Sequence, residues 1–116
     1  MLFAVAAFFA LGYPAAQVSK SDITTGLYLF HACKAVDIEH PTTLQTRDST
    51  ICLVYINGFN DGETINGRYA CSGRASLVDL AHTYVAYMRK HPEAMKMDKA
   101  ASLFIALHSA YPCQDK

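Results

Sequence analysis

The hydrophobic positions of this chain fall into four helical stripes separated by turn-rich segments. From Ser21 to Ala35, Ile23, Leu27 and Phe30 share one side of a helix that Ser21 or Asp22 can cap. A polar loop containing Pro41 is expected over Val36–Arg47. A second helix is expected from Asp48 or Ser49, with Ile51, Val54, Tyr55, Gly58 and Phe59 at the spacing of a buried stripe. Gly58 there offers room for another backbone to come close. Gly62, Asn66-Gly67 and Gly73 break the pattern. The third helix has the clearest signature. Ser76 and Asp79 have the form of a capping box, and Leu77, Leu80, Ala81, Tyr84, Val85 and Met88 make the inner stripe. Arg89 and Lys90 suit the negative end of the helix dipole, and His91-Pro92 ends the helix. In the fourth, Asp98 is the expected cap, Ala100, Leu103, Phe104, Leu107 and Tyr111 line one face, and Pro112 is the stop. Alternating strand patterns are short or absent, so the pattern predicts an all-α protein, a compact bundle of about four helices.

The cysteines sit at the ends of these elements. Cys33 closes the first helix and Cys52 opens the second; Cys71 precedes the third helix and Cys113 follows the fourth. Short connections set consecutive helices antiparallel, which brings the start of one beside the end of its neighbour. Of the three possible pairings, that geometry favours Cys33–Cys52 with Cys71–Cys113. By loop-closure entropy each bond contributes about 3–4 kcal/mol, a large share of a small domain's stability.

The first sixteen residues change the picture of where those bonds form. An apolar run, Met1–Leu11, is followed by Pro14 and the small residues Ala15 and Ala16, the order of a secretory h-region and cleavage site, although no Lys or Arg precedes the run. The run falls short of the ~20 apolar residues a membrane-spanning helix needs. We therefore expect a signal peptide over residues 1–16 and a single helical domain over 17–116, exported to an oxidising compartment where disulfides persist.

Charge narrows the partners. Ten Lys and Arg balance ten Asp and Glu among 116 residues, with no run of like charge, which argues against a nucleic-acid binder or a basic membrane-surface patch. Candidate catalytic chemistry is thin. His31 and Cys33 are two residues apart, on different sides of a helix, and there is no Cys-x-x-Cys or His-x-x-x-His to hold zinc. An even cysteine count leaves no free thiol for a nucleophile. Asp61 and Glu63 lie in a glycine-rich stretch where acidic residues serve turns and solubility. Gly58, Gly62, Gly67 and Gly73 fit neither the dinucleotide nor the P-loop spacing. No enzyme activity, metal or cofactor is expected. Tyr55, Tyr84, Met88 and Tyr111 stand at core spacing; Tyr28, Tyr69, Tyr87, Met95 and Met97 lie near loops, where aromatic and Met side chains favour interfaces.

The same residues carry a resemblance. Gly26-Leu27-Tyr28 and Cys33 are followed by Cys52-x-x-Tyr55-x-x-Gly58-x-x-Asp61, by Cys71, by Tyr87-Met88-Arg89-Lys90-His91-Pro92-Glu93, and by Ala106-Leu107-x-x-x-Tyr111-Pro112-Cys113. In this order they resemble the Rap/Tai family of immunity proteins over nearly the whole chain after the leader. Ser72-Gly73-Arg74 stands where that family often has a proline-containing turn. The resemblance implies an exported, helical, disulfide-bonded periplasmic protein. It would neutralise a peptidoglycan amidase effector of type VI secretion by occluding its cleft, often as a dimer, without catalytic residues of its own.

An inhibitor of this kind must present a rigid protrusion whose ordering cost is already met. Two loops are candidates: the disulfide-flanked segment Gly62–Ala70, with Glu63, Arg68 and Tyr69, and the turn His91–Met97, with His91, Glu93, Met95 and Lys96. The principal rival function is a periplasmic acid-stress chaperone, small, helical and disulfide-linked, which would bind many unfolded clients at low pH. A helical carrier of lipid or another small ligand is a second rival and would need an apolar cavity.

Overall fold

A computed structural model describes residues 23–67, 71–72 and 75–113. The segment expected to be a signal peptide lies outside the described residues, as do Ser21, Asp22, Arg68 and Tyr69. Four α-helices follow one another: α1 (Gly26–Lys34), α2 (Thr43–Ile65), α3 (Leu77–Lys90) and α4 (Lys99–Ala110). Short 3-10 turns at Ala35–Asp37 and Pro92–Lys96 follow α1 and α3. The described residues form no strand beyond an isolated antiparallel bridge between Thr25 and Asp98.

That bridge sets the start of α1. Gly26 donates its N–H to Met97 O at 2.7 Å, and Lys99 donates to Thr24 O at 2.9 Å. Thr25, in extended conformation, is thereby held against the start of α4, and its Oγ1 caps α1 by accepting from Tyr28 N at 3.3 Å. The helix expected from Ser21 begins five residues later, and Ile23 and Leu27, read as inward, are 47% and 45% exposed.

The second helix also departs from the sequence reading. It starts at Thr43, where Thr42 and Gln45 form a capping box across 3.2 and 2.9 Å, so part of the expected loop is helix. It runs unbroken through Gly58 and Gly62 and stops at Asn66-Gly67, where Gly67 takes φ +71°, a conformation that glycine adopts without a Cβ clash. Its inner stripe is Cys52 and Ile56, both fully buried, with Ile51, Tyr55 and Phe59 partly covered; Val54 is 65% exposed. Cys52 is bonded to Cys33 on α1, which fixes the rotation of α2 and turns Val54 outward.

The close backbone approach expected at Gly58 occurs at Gly26 instead. Nothing lies within 4 Å of a Cβ placed on Gly58, whereas one on Gly26 would meet Ala94 O at 2.6 Å, Met88 Cε at 3.0 Å and Ser102 Oγ at 3.1 Å. The short α1 is central: it packs against α2, α3, α4 and the Pro92–Lys96 turn. It contributes Leu29, Phe30, Ala32 and Cys33 to a core completed by Leu80, Ala81, Tyr84, Val85, Met88, Leu103, Ala106 and Leu107. Buried Tyr84 supplies the polar junction of this core. Its hydroxyl donates to Gly26 O at 3.1 Å and lies 2.8 Å from Ser102 Oγ, which donates to Lys99 O at 2.9 Å. Burial pushes the Tyr84 phenol up to about 12, with the nearby Tyr55 adding to the rise and the Ser102 hydrogen bond opposing it.

The third and fourth helices begin where the sequence places them. Ser76 and Asp79 exchange their capping-box bonds at 3.1 and 3.2 Å, and Asp98 Oδ1 accepts from Ala100 N at 2.9 Å. In α4 the expected Phe104 is 36% exposed, and the fully buried side chains are Ser102, Leu103, Ala106 and Leu107. Both expected disulfides are present, Cys33–Cys52 with Cα atoms 4.9 Å apart and Cys71–Cys113 at 5.0 Å.

Candidate partner-binding surfaces

The turn after α3 is braced by backbone hydrogen bonds and packs against α1. The Tyr87 carbonyl accepts from His91 N at 3.0 Å, Ala94 N donates to His91 O at 2.9 Å, and Met97 N donates to Ala94 O at 3.1 Å. Pro92 fixes the first residue of the 3-10 turn, and buried Ala94 presses its carbonyl toward Gly26. The His91 ring stacks on Tyr87 with centroids 4.3 Å apart, and its Nδ1 lies 3.3 Å from Glu93 Oε1. Glu93 and Lys96 are exposed, His91 is half-exposed, and Met95, read as a contact residue, is half-buried against the core.

A groove between α3 and α4 opens beside this turn. It measures about 410 Å³, and its walls include Thr83, Tyr87, Lys90 and His91 on one side and Ala106 and Ser109 on the other. Small side chains from α4 let the groove form, while Tyr87, Lys90 and His91 give its rim aromatic and cationic character. Of the residues singled out in the sequence, His91, Glu93 and Lys96 therefore stand together on one rigid feature, with Tyr87 beside them.

The other candidate loop is differently organised. Glu63 belongs to the last turns of α2 and is half-buried, and α2 carries the chain on to Ile65. Asp61 shares the same helix, so neither acid lies in a turn. The connector itself is described only at Asn66, Gly67, Cys71, Ser72 and Ala75.

A second surface joins Tyr28, read from the sequence as an interface candidate, to Tyr55, which helical spacing had assigned to the core. On α1 and α2, Tyr28 and Tyr55 flank the Lys99 ammonium, which lies 5.6 and 5.0 Å from their ring centroids and donates to Ile23 O at 2.8 Å. Shallow hollows of about 300 and 350 Å³ lie beside it, one at Leu27, Tyr28 and His31, the other at Ile51, Val54 and Tyr55. Burial raises the Tyr55 phenol, and the Asp98 carboxylate raises it further. Helical spacing assigned Leu27 and Val54 to the core, and the structure leaves them 45% and 65% exposed.

All four cysteines are in disulfides. Among the described residues, no three His, Cys, Asp or Glu side chains gather as a metal site would require, and no helix is long and apolar enough to cross a membrane. The sequence model of one family, described as Rap1a immunity proteins, matches residues 25–113. The chain belongs to the Rap1a immunity protein family. Neither the curated proteins nor the solved structures contain a match to it. The matched span runs from the cap of α1 to the last cysteine, so it takes in the whole helical frame, the turn after α3 and both disulfides. Membership of this immunity family implies a toxin effector as binding partner.

Proposed function

We propose that this Rap1a-family chain is a periplasmic immunity protein that binds a cognate type VI secretion peptidoglycan amidase effector and occludes its cleft. The family match over residues 25–113 carries this reading. On this account residues 1–16 direct export and are removed, and the disulfides form in the periplasm.

An inhibitor that arrives ordered avoids much of the entropy cost of docking. The turn His91–Met97 meets that demand: three backbone hydrogen bonds, Pro92 and the contact of Ala94 with α1 hold it before any partner arrives. His91, Glu93 and Lys96 offer hydrogen bonds and charge on its outer face, and Tyr87 and Lys90 extend the contact into the adjoining groove. Glu63, on the last turns of α2, with Arg68 and Tyr69 of the following segment, is the second proposed contact set. No bond is made or broken in this mechanism; inhibition is exclusion of substrate from an occupied cleft.

The test is a pull-down with oxidised protein beginning at residue 17, against periplasmic and secreted proteins of the source strain and its relatives. Recovery of one amidase in a stoichiometric complex supports the proposal. Recovery of many unfolded proteins, mainly in acid, would replace it with the chaperone reading.

A further inference from the structure

The two disulfides occupy opposite environments. Cys33 and Cys52 are 1% and 0% exposed, and each lies inside a helix, α1 and α2 respectively. Cys71 and Cys113 are both solvent-exposed, and neither belongs to a helix: Cys71 lies in the connector before α3 and Cys113 beyond the end of α4. Thiol–disulfide exchange needs a thiolate to reach a sulfur along the S–S axis, so access decides which bond reacts from the folded state. No external thiol reaches Cys33–Cys52 without parting α1 from α2, which dismantles the core. Parting Cys71 from Cys113 breaks no helical hydrogen bond.

We propose that Cys71–Cys113 is a thiol-exchangeable latch holding the α2–α3 connector to the end of α4, and that Cys33–Cys52 is a permanent staple. The co-reactant is a dithiol, of the kind a Cys-x-x-Cys oxidoreductase carries. Its thiolate attacks one sulfur of the latch, forms a mixed disulfide and expels the other cysteine, which takes up a proton. The reductant's second thiolate then attacks the mixed disulfide, releasing the remaining cysteine as a thiol and leaving the reductant oxidised by two electrons. The open latch leaves Cys71 N donating to Tyr111 O at 3.0 Å, with the Tyr111 hydroxyl 3.1 Å from Thr83 Oγ1. These bonds guide the cysteines back together for reoxidation. The consequence for binding rests on the proposed function: the latch ties down the end of α4, whose Ser109 and Ala110 line the groove beside the His91–Met97 turn, so opening it loosens that wall and weakens the effector complex.

The test is timed reduction of the folded, oxidised protein with dithiothreitol, trapping with iodoacetamide and peptide mass mapping, with far-ultraviolet circular dichroism in parallel. The expected intermediate is alkylated only at Cys71 and Cys113, retains its helical signal, and forms at least about a hundredfold faster than the Cys33–Cys52 thiols, which must await unfolding. Simultaneous appearance of all four thiols, or earlier loss of Cys33–Cys52, overturns the latch. The double variant Cys71→Ala/Cys113→Ala should remain helical and unfold cooperatively in urea; a chain that fails to fold also overturns it. Opening should weaken effector binding about tenfold through the added ordering cost. Unchanged affinity overturns the coupling to binding. Failure of the oxidised protein to bind any amidase overturns the functional reading and leaves the latch result standing.

Discussion

Gly26→Ala places one methyl group at the tightest point of the fold. The new Cβ would stand 2.6 Å from Ala94 O, 3.0 Å from Met88 Cε and 3.1 Å from Ser102 Oγ. Met88 Cε can swing away, but Ala94 O is backbone inside the 3-10 turn and cannot yield without moving the whole turn. Alanine is worth at most about 1 kcal/mol over glycine in a helix, and less at this first helical position. Against that gain, overpacking a filled core costs about 1–3 kcal/mol. Displacing Gly26 also weakens the bond from the Tyr84 hydroxyl to Gly26 O, worth about 1 kcal/mol net. The steric and hydrogen-bond terms win, and the expected result is a net loss of about 1–3 kcal/mol. In a domain of this size each kcal/mol corresponds to about 4–8 °C in Tm. Urea and thermal melts monitored by circular dichroism at matched redox state read the change. The control Gly58→Ala, in open space, should gain up to about 1 kcal/mol from helix propensity. A Gly26→Ala protein as stable as the parent, or more so, would refute the close approach of α1 to the turn.

Other substitutions probe separate parts of the account. Tyr84→Phe removes bonds to Gly26 O and Ser102 Oγ and should cost about 1–3 kcal/mol in urea unfolding. Because the folded-state Tyr84 phenol is raised to about 12 from 10.0, the unfolded chain ionises first; stability should be intact below pH 10 and decline as pH rises from 10 toward 12. Urea midpoints across that window should fall less steeply in Tyr84→Phe. The chain-entropy estimate ranks Cys71–Cys113, 42 residues apart, about 0.7 kcal/mol above Cys33–Cys52, 19 apart. Paired Cys→Ala substitutions should show the reverse order, because removing the buried sulfurs also leaves a core cavity. Lys90→Glu and His91→Ala should weaken the effector complex about tenfold or more by calorimetry while shifting stability by less than about 1 kcal/mol.

What the sequence revealed tracks how local each signal was. The starts of α3 and α4 depend on caps within three residues, Ser76 with Asp79 and Asp98 with Ala100, so they could be read directly. The disulfide pairing followed from element order alone. The start of α1 depends on pairing with Met97 and Lys99, more than seventy residues away, which no local window contains. Thr42 and Gln45 did carry a local capping signal for α2, but Pro41 and the polar run around it read as loop. Gly58 and Gly62 were read as a close-approach site and a break; within a 23-residue helix their propensity cost is borne by the surrounding turns. The grouping of His91, Glu93 and Lys96 on one turn was legible because His91-Pro92 ends α3 locally, whereas the meeting of Tyr28, Tyr55 and Lys99 required the rotation that Cys33–Cys52 imposes on α2.

The most direct test of immunity is to mix the oxidised protein with purified type VI amidase effectors and follow cleavage of isolated peptidoglycan. One effector should lose its activity at a stoichiometric amount of this protein and form a complex that survives gel filtration at neutral pH. An effector panel that stays fully active in a molar excess of folded, disulfide-bonded protein would contradict it.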